Sequence, residues 1–142
     1  LEDADILARF NIELARESEN LILHPATVKA GVEALLRDPG KGTYFVAESG
    51  GEVIGQLMIT HEWSDWRNGD FWWLQSVYVR SDFRRRGVFL ALFDHILAAA
   101  KRRGDVVGIR LYVEKNNDQA LKAYERLQLK ETHYHVRERL VP

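Results

Sequence analysis

The stretch from Phe71 to Val88 limits what this chain can fold into more than any other. Phe71 to Val79 is almost entirely apolar or aromatic (Phe71, Trp72, Trp73, Leu74, Val77, Tyr78, Val79), the pattern of a strand covered on both faces. A short connection, Arg80 to Phe83, leads into Arg84-Arg85-Arg86-Gly87. Val88, Leu92, Phe93, Ile96, Leu97 and Ala100 then recur at helical spacing, which predicts a helix from Phe83 to about Arg103. A strand handed straight to a helix sets the helix N-terminus at a sheet edge or crevice, where ligands bind in α/β folds. The amides of that first turn lack intrahelical acceptors and carry the positive end of the helix dipole, so they suit a phosphate. Gly87 has no Cβ and lets the backbone approach closely, and neighbouring arginines can reach phosphate oxygens. The competing reading is three arginines that merely solvate a helix start. Against it, positive charge at a helix N-terminus opposes the dipole and destabilises an empty site.

The other elements follow from periodicity and turn chemistry. Ile6, Leu7, Phe10 and Leu14 predict a helix over Glu2 to about Ser18 with Asp3 as cap, and Pro25 to Leu36 predicts a second, with Val28, Val32, Leu35 and Leu36 inward. Thr43 to Glu48 and Glu52 to about Thr60 read as a hairpin closed by Gly50-Gly51. Trp63 to Asp70 reads as a polar, aromatic loop containing Asn68-Gly69. Val106 to Glu114 is the next strand, Asn117 to about Leu127 a helix, and Lys130 to Leu140 a final strand or pair of short strands. This order predicts one α/β (α+β) domain over residues 1–142, a mixed sheet with helices packed on it.

Composition removes whole classes. The chain has 142 residues, 46% hydrophobic and 29% charged, with a net charge of −1. That is a globular composition without a field that would draw nucleic acid or an anionic membrane. With no cysteine, disulfides, thiolate metal sites and cysteine nucleophiles are excluded, and a cytoplasmic location is the simple expectation. No apolar run approaches the roughly 20 residues of a membrane helix. His133 and His135 stand two apart on the last predicted strand, but two histidines without a third ligand make no metal site.

Val77-Tyr78-Val79, Phe83 and Arg84-Arg85-Arg86-Gly87-Val88 together resemble the acetyl-CoA motif of the GNAT superfamily of N-acetyltransferases. Its core is Gln or Arg, two residues, Gly, one residue, then Gly or Ala. Arg84 takes the first position and Gly87 the glycine, while Phe89 stands where the family usually has a small residue. A second segment is similar to the family in the same order: the strand Leu111-Tyr112-Val113-Glu114, then Asn116, Asn117, Ala120 and Tyr124. Glu125-Arg126-Leu127-Gln128-Leu129 matches the family's Glu-Lys-Leu-Gly-Phe in character, with Gln128 in place of glycine. The resemblance covers roughly Tyr44 to Tyr134. It implies the GNAT fold, a mostly antiparallel mixed sheet flanked by helices, with a first strand expected ahead of Glu2. It also implies acetyl-CoA as co-substrate, with the main chain of Val77 and Val79, on either side of Tyr78, holding the pantetheine arm. Arg85, Arg86, Gly87, Val88, Phe89 and Leu90, opened by Arg84, would wrap the pyrophosphate. Asn117 would touch the cofactor arm as well as cap a helix. Tyr124, otherwise a core aromatic, would protonate the departing thiolate.

The implied reaction is direct attack of a primary amine, on a small-molecule or amino-acid-like acceptor, at the thioester carbonyl. Glu62 and Glu114, at predicted strand ends, are the candidate bases; each has the plain alternative of a solvated carboxylate. Trp63, Trp66, Trp72 and Trp73 form either an acceptor wall or, respectively, dimer contacts and core. Ser81-Asp82-Phe83-Arg84 also resembles diamine and spermidine acetyltransferases, but Gln75 and Ser76 stand where that subfamily has an acidic pair, so a polyamine is not the expected acceptor. The rival class is a non-catalytic CoA-binding module on the same fold.

Overall fold

Hydrogen-bonded strands organise the first of two compact units, Leu1–Tyr112; the second is Val113–Pro142. The computed structural model describes all residues 1–142. The first unit runs α1 (Ala4–Glu19), α2 (Pro25–Arg37), β1 (Thr43–Ser49), β2 (Glu52–Ser64), β3 (Gly69–Val79), a 3-10 turn (Ser81–Phe83), α3 (Val88–Arg103) and β4 (Val106–Leu111). The second contains α4 (Asp118–Arg126).

Each element has a local cause. In α1 the buried side chains Ala4, Leu7, Ala8, Phe10 and Ala15 lie on one stripe. Asp3 occupies the N-cap position, but its helical backbone leaves the carboxylate without a capping bond. Pro25 opens α2 behind His24, whose ring accepts from the Thr27 N–H. Gly50 and Gly51 both take positive φ (+58° and +79°), the requirement of a two-residue hairpin turn whose twist matches the strands.

The four-stranded sheet has the order β1-β2-β3-β4. β1, β2 and β3 are mutually antiparallel and β4 is parallel to β3, so the expected mixed, mostly antiparallel sheet is present. α1 and α2 cover one face: Leu7 and Val32 pack with Tyr44 and Val46, and Phe10 lies 4.9 Å from Tyr78 between ring centroids. α3 covers the other, where Phe45 meets His95 and Val88 and Leu92 come down over Gly55.

Four boundaries differ from the sequence reading. β2 and β3 form a hairpin closed by a turn over Asp65–Asn68, so half of the expected Trp63–Asp70 loop is strand. Alternation there is hard to read because Glu62 pairs with Phe71 and Trp63 with Asp70, mixing charged and aromatic residues on each face. α3 begins at Val88 rather than Phe83, because the extended Arg84 and left-handed Gly87 (φ +77°) break the helical path. β4 ends at Leu111, short of Glu114. Lys130–Leu140 carries no strand; Tyr134, Val136 and Leu140 are exposed, and strand propensity without a partner strand forms no ladder.

Gln128 shows what its glycine-like position demands. It closes α4 with φ +63°, its N–H bonded to the Glu125 carbonyl and the next N–H, of Leu129, to the Tyr124 carbonyl. That is the paired closure of a Schellman cap, whose left-handed residue is usually glycine. Gln128→Gly relieves the strain and should stabilise α4 by up to about 1 kcal/mol. Hydrogen exchange of the α4 amides would read this as protection increased by up to about fivefold.

Candidate active site

The turn between β3 and α3 is built to present main-chain amides. Arg85 (φ +63°) and Gly87 (φ +77°) are both left-handed, flanking Arg86. Alternating backbone hands of this kind gather successive N–H groups into an anion-binding concavity. The first helical bond of α3 runs from the Ala91 N–H to the Gly87 carbonyl, so the helix itself gives no acceptor to the preceding amides of its first turn. A Cβ on Gly87 would meet nothing within 4 Å: the glycine is needed for its φ, and the space before it is open. Gly55 makes the opposite use of its missing Cβ, which would stand 2.9 Å from Val88 Cγ1, and so lets the start of α3 settle on the sheet.

The four arginines of the turn divide into two jobs. Arg84 donates from Nε to the Val79 carbonyl (2.9 Å) and from a terminal nitrogen to Glu17 of α1 (2.6 Å), with its guanidinium over the Tyr78 ring. Arg80 forks onto Asp82, reaches Glu52 and covers Phe83; it holds the Asp82 carboxyl below the usual carboxylate range. These two pin the turn. Arg85 and Arg86 have no carboxylate at ion-pair distance; Arg86 lies over the Phe83 ring at 5.3 Å, and both remain as cations beside the amide concavity.

β3 prepares the neighbouring surface. Its pairing with β4 covers Asp70 to Leu74, so Gln75–Val79 has β2 on one side and no strand on the other. The Arg80 N–H donates to the Ile54 carbonyl. Antiparallel alternation therefore turns the main-chain groups of Val77 and Val79 away from β2, toward the open edge. Between Gln75 and Tyr78 the ladder slips by one residue at Ser76 (φ +51°). This bulge reverses the side-chain alternation and brings Tyr78 onto the α1 face, where burial raises its phenol pKa and its hydroxyl donates to Glu17.

Glu62 stands on the same face of the sheet. It accepts from the Trp73 indole N–H (2.9 Å) and pairs with Arg110 (3.4 Å), whose guanidinium lies 3.6 Å over Phe71. Trp73 stacks on Tyr112 at 4.5 Å. Trp72 is core, 6% exposed, on the opposite face, while Trp63 and Trp66 are exposed.

In the second unit, Asn117 caps α4, its side-chain oxygen accepting from the Ala120 N–H (3.2 Å). Glu114 accepts from the Asn116 N–H in the turn before α4. Tyr124 is half-buried on α4, and burial raises its phenol pKa, so the hydroxyl keeps its proton beyond the ordinary phenol range.

Sequence reasoning missed a cavity of about 470 Å³ on the α1–α2 face. Below it lies Gln56, 0% exposed. Its Nε2 donates to Asn11 Oδ1 (2.7 Å) and to the Ser76 carbonyl (3.0 Å), and Asn11 in turn donates to the Tyr44 hydroxyl. The one legible signal was a glutamine inside an otherwise apolar run of β2.

The model of the family described as Acetyltransferase (GNAT) family matches residues 8–128. An uncharacterized N-acetyltransferase of Methanocaldococcus jannaschii is 30% identical over 89 residues, 62% of this chain and 39% of that protein. A mycothiol acetyltransferase of Corynebacterium aurimucosum is 34% identical over 100 residues, 68% of this chain and 33% of that protein. The chain thus spans between a third and two fifths of the length of these relatives. The crystal structure of a "possible acetyltransferase" from Clostridium difficile 630 superposes with a TM-score of 0.94 at 45% identity, over 99% of this chain and 93% of that one.

The division among the arginines is testable without any ligand. Arg84→Ala removes a carbonyl bond and an ion pair and should cost about 1–2 kcal/mol in urea denaturation. Arg85→Ala should stay within about 0.5 kcal/mol of the parent.

Proposed function

This chain belongs to the GNAT acetyltransferase family, and on that footing we propose that it transfers the acetyl group of acetyl-CoA to a primary amine of a small-molecule or amino-acid-like acceptor by direct attack. The observation that carries the reading is the β3–α3 turn. Its first-turn amides, the open space before Gly87 and the Arg85 and Arg86 guanidiniums, neither held by a carboxylate, fit a pyrophosphate. The outward main chain of Val77 and Val79 suits the amide-bearing pantetheine arm, which can pair with it as a short strand would. A cysteine-free chain fits work in a reducing cytoplasm.

Acetyl-CoA brings an activated acyl group on a sulfur leaving group. Main-chain N–H groups at the open edge of β3 polarise the carbonyl. The amine nitrogen bonds to the carbonyl carbon as the carbon–sulfur bond breaks; nitrogen gives up a proton to a base, and sulfur receives one, a role that the family resemblance gives to Tyr124. A phenol that stays protonated past the ordinary range can act as that donor. Glu62 is the carboxylate we assign as base. It shares a face of β2 with Met58 and Thr60, roughly 13 Å along the strand from Met58, so its proton arrives through water. Asn117 serves the cofactor arm with the amide group its capping oxygen leaves over.

Phe89 favours a second reading, a CoA-binding module without turnover, because a bulky ring replaces the family's small residue.

Calorimetry separates the possibilities. CoA should bind the intact chain, and Gly87→Glu, which adds strain and negative charge, should weaken binding by at least about tenfold. Tyr124→Phe should keep CoA affinity and lower kcat by about 100-fold. Because the Tyr124 pKa is raised, the alkaline loss of activity that the Phe variant lacks should fall above pH 10, the ordinary phenol value. No CoA binding at millimolar concentration overturns the proposal; binding with no amine acetylated favours the module.

A further inference from the structure

Building on that reading, we infer that the acceptor is a monoamine with an apolar body, held in the cavity between α1, α2 and the sheet with its amino group at the Gln56–Ser76 network. The cavity holds about 470 Å³, a size suited to a small organic molecule. Leu14 of α1, Val28 and Val32 of α2, and Met58 of β2 supply apolar wall.

Its floor is polar at one place. Asn11, Tyr44 and Ser76 all line it, and they are the partners, direct or through Asn11, of buried Gln56. The Gln56 Oε1 makes no hydrogen bond and is closed to solvent, and Gln56 lies behind the lining, so an amine in the cavity meets the network at Asn11, Tyr44 and Ser76. The amine also reaches the right neighbourhood, since Ser76 directly precedes Val77 at the open edge of β3.

Gly31 gives an independent sign. It sits inside α2, lines the cavity, and a Cβ there would meet nothing within 4 Å. Glycine in a helix interior costs about 1 kcal/mol relative to alanine, and no neighbour in the fold requires it. What it preserves is room in the cavity. Charge then selects among amines. The lining carries one carboxylate, Glu19, and one ammonium, Lys41. A polycation would find no net negative charge there, and desolvating its second ammonium would go uncompensated.

The chain's one methionine is Met58, so its ε-methyl signal reports the cavity directly. The test is protein with ¹³C-labelled methionine methyl, titrated with 2-phenylethylamine or spermidine in the presence of CoA, beside assays of CoA release from acetyl-CoA with each amine. The Met58 signal should move saturably with 2-phenylethylamine and stay still with spermidine, and kcat/KM should favour the former by at least about tenfold. Gly31→Leu, which suits the helix and narrows the cavity, should raise the concentration that half-saturates the shift and KM together, by about tenfold or more. Its kcat should stay within about threefold and its CoA affinity unchanged. Acetylation of 2-phenylethylamine with Met58 unmoved, or spermidine preferred by more than tenfold, overturns the inference. A Met58 response with no acetyl transfer to any amine overturns the transfer reading instead and leaves the cavity as an amine site.

Discussion

An apolar strand that must turn into a helix without continuing as one needs a break in backbone hand, and in this chain Arg85 and Gly87 provide it. A non-glycine residue at φ +63° is strained, and the strain persists because its surroundings fix it. Arg84 ties the turn to the Val79 carbonyl and to Glu17, while Arg80 and Asp82 clamp its other end. Gly55 lets the first residue of α3 rest on the sheet. The amide concavity therefore exists before any ligand arrives, and preorganised donors of this kind lose little on binding.

The bulge at Ser76 does for the opposite face what the turn does for the end of the strand. By adding a residue it moves Tyr78 to the α1 side, where it meets Phe10 and Glu17. It also exposes the Ser76 carbonyl to Gln56. One irregularity in β3 thus couples the open main-chain edge at Val77 to the polar floor of the cavity. The two features that make the strand poor as a ladder, an extra residue and a missing neighbour beyond Leu74, are the ones that leave its main-chain groups open.

The elements with strong periodicity were legible in the sequence: α1, α2, the Gly50-Gly51 hairpin and β3 lie close to where the apolar spacing put them. So was the turn between β3 and α3, since its signal is local, an apolar strand followed by arginines and a glycine. The start of α3 was not, because backbone hand at Arg85 cannot be read from an arginine. Glu62 was found as a strand-end carboxylate, but its hold by Trp73 and Arg110 depends on a hairpin hidden by mixed faces. The cavity and the Gln56 network were illegible for a plainer reason: Gln56 and Asn11 are 45 residues apart, and no spacing rule brings them together.

The central claim is that main-chain amides of the β3–α3 turn and the free edge of β3 hold the cofactor. Amide-resolved NMR of ¹⁵N-labelled protein titrated with CoA tests it most directly. The largest shifts should fall on the amides of Arg85 to Leu90 and on Val77 and Val79, with the pyrophosphate end saturating together with the strand edge. Saturable shifts confined to other surfaces, with those amides unmoved, would contradict it.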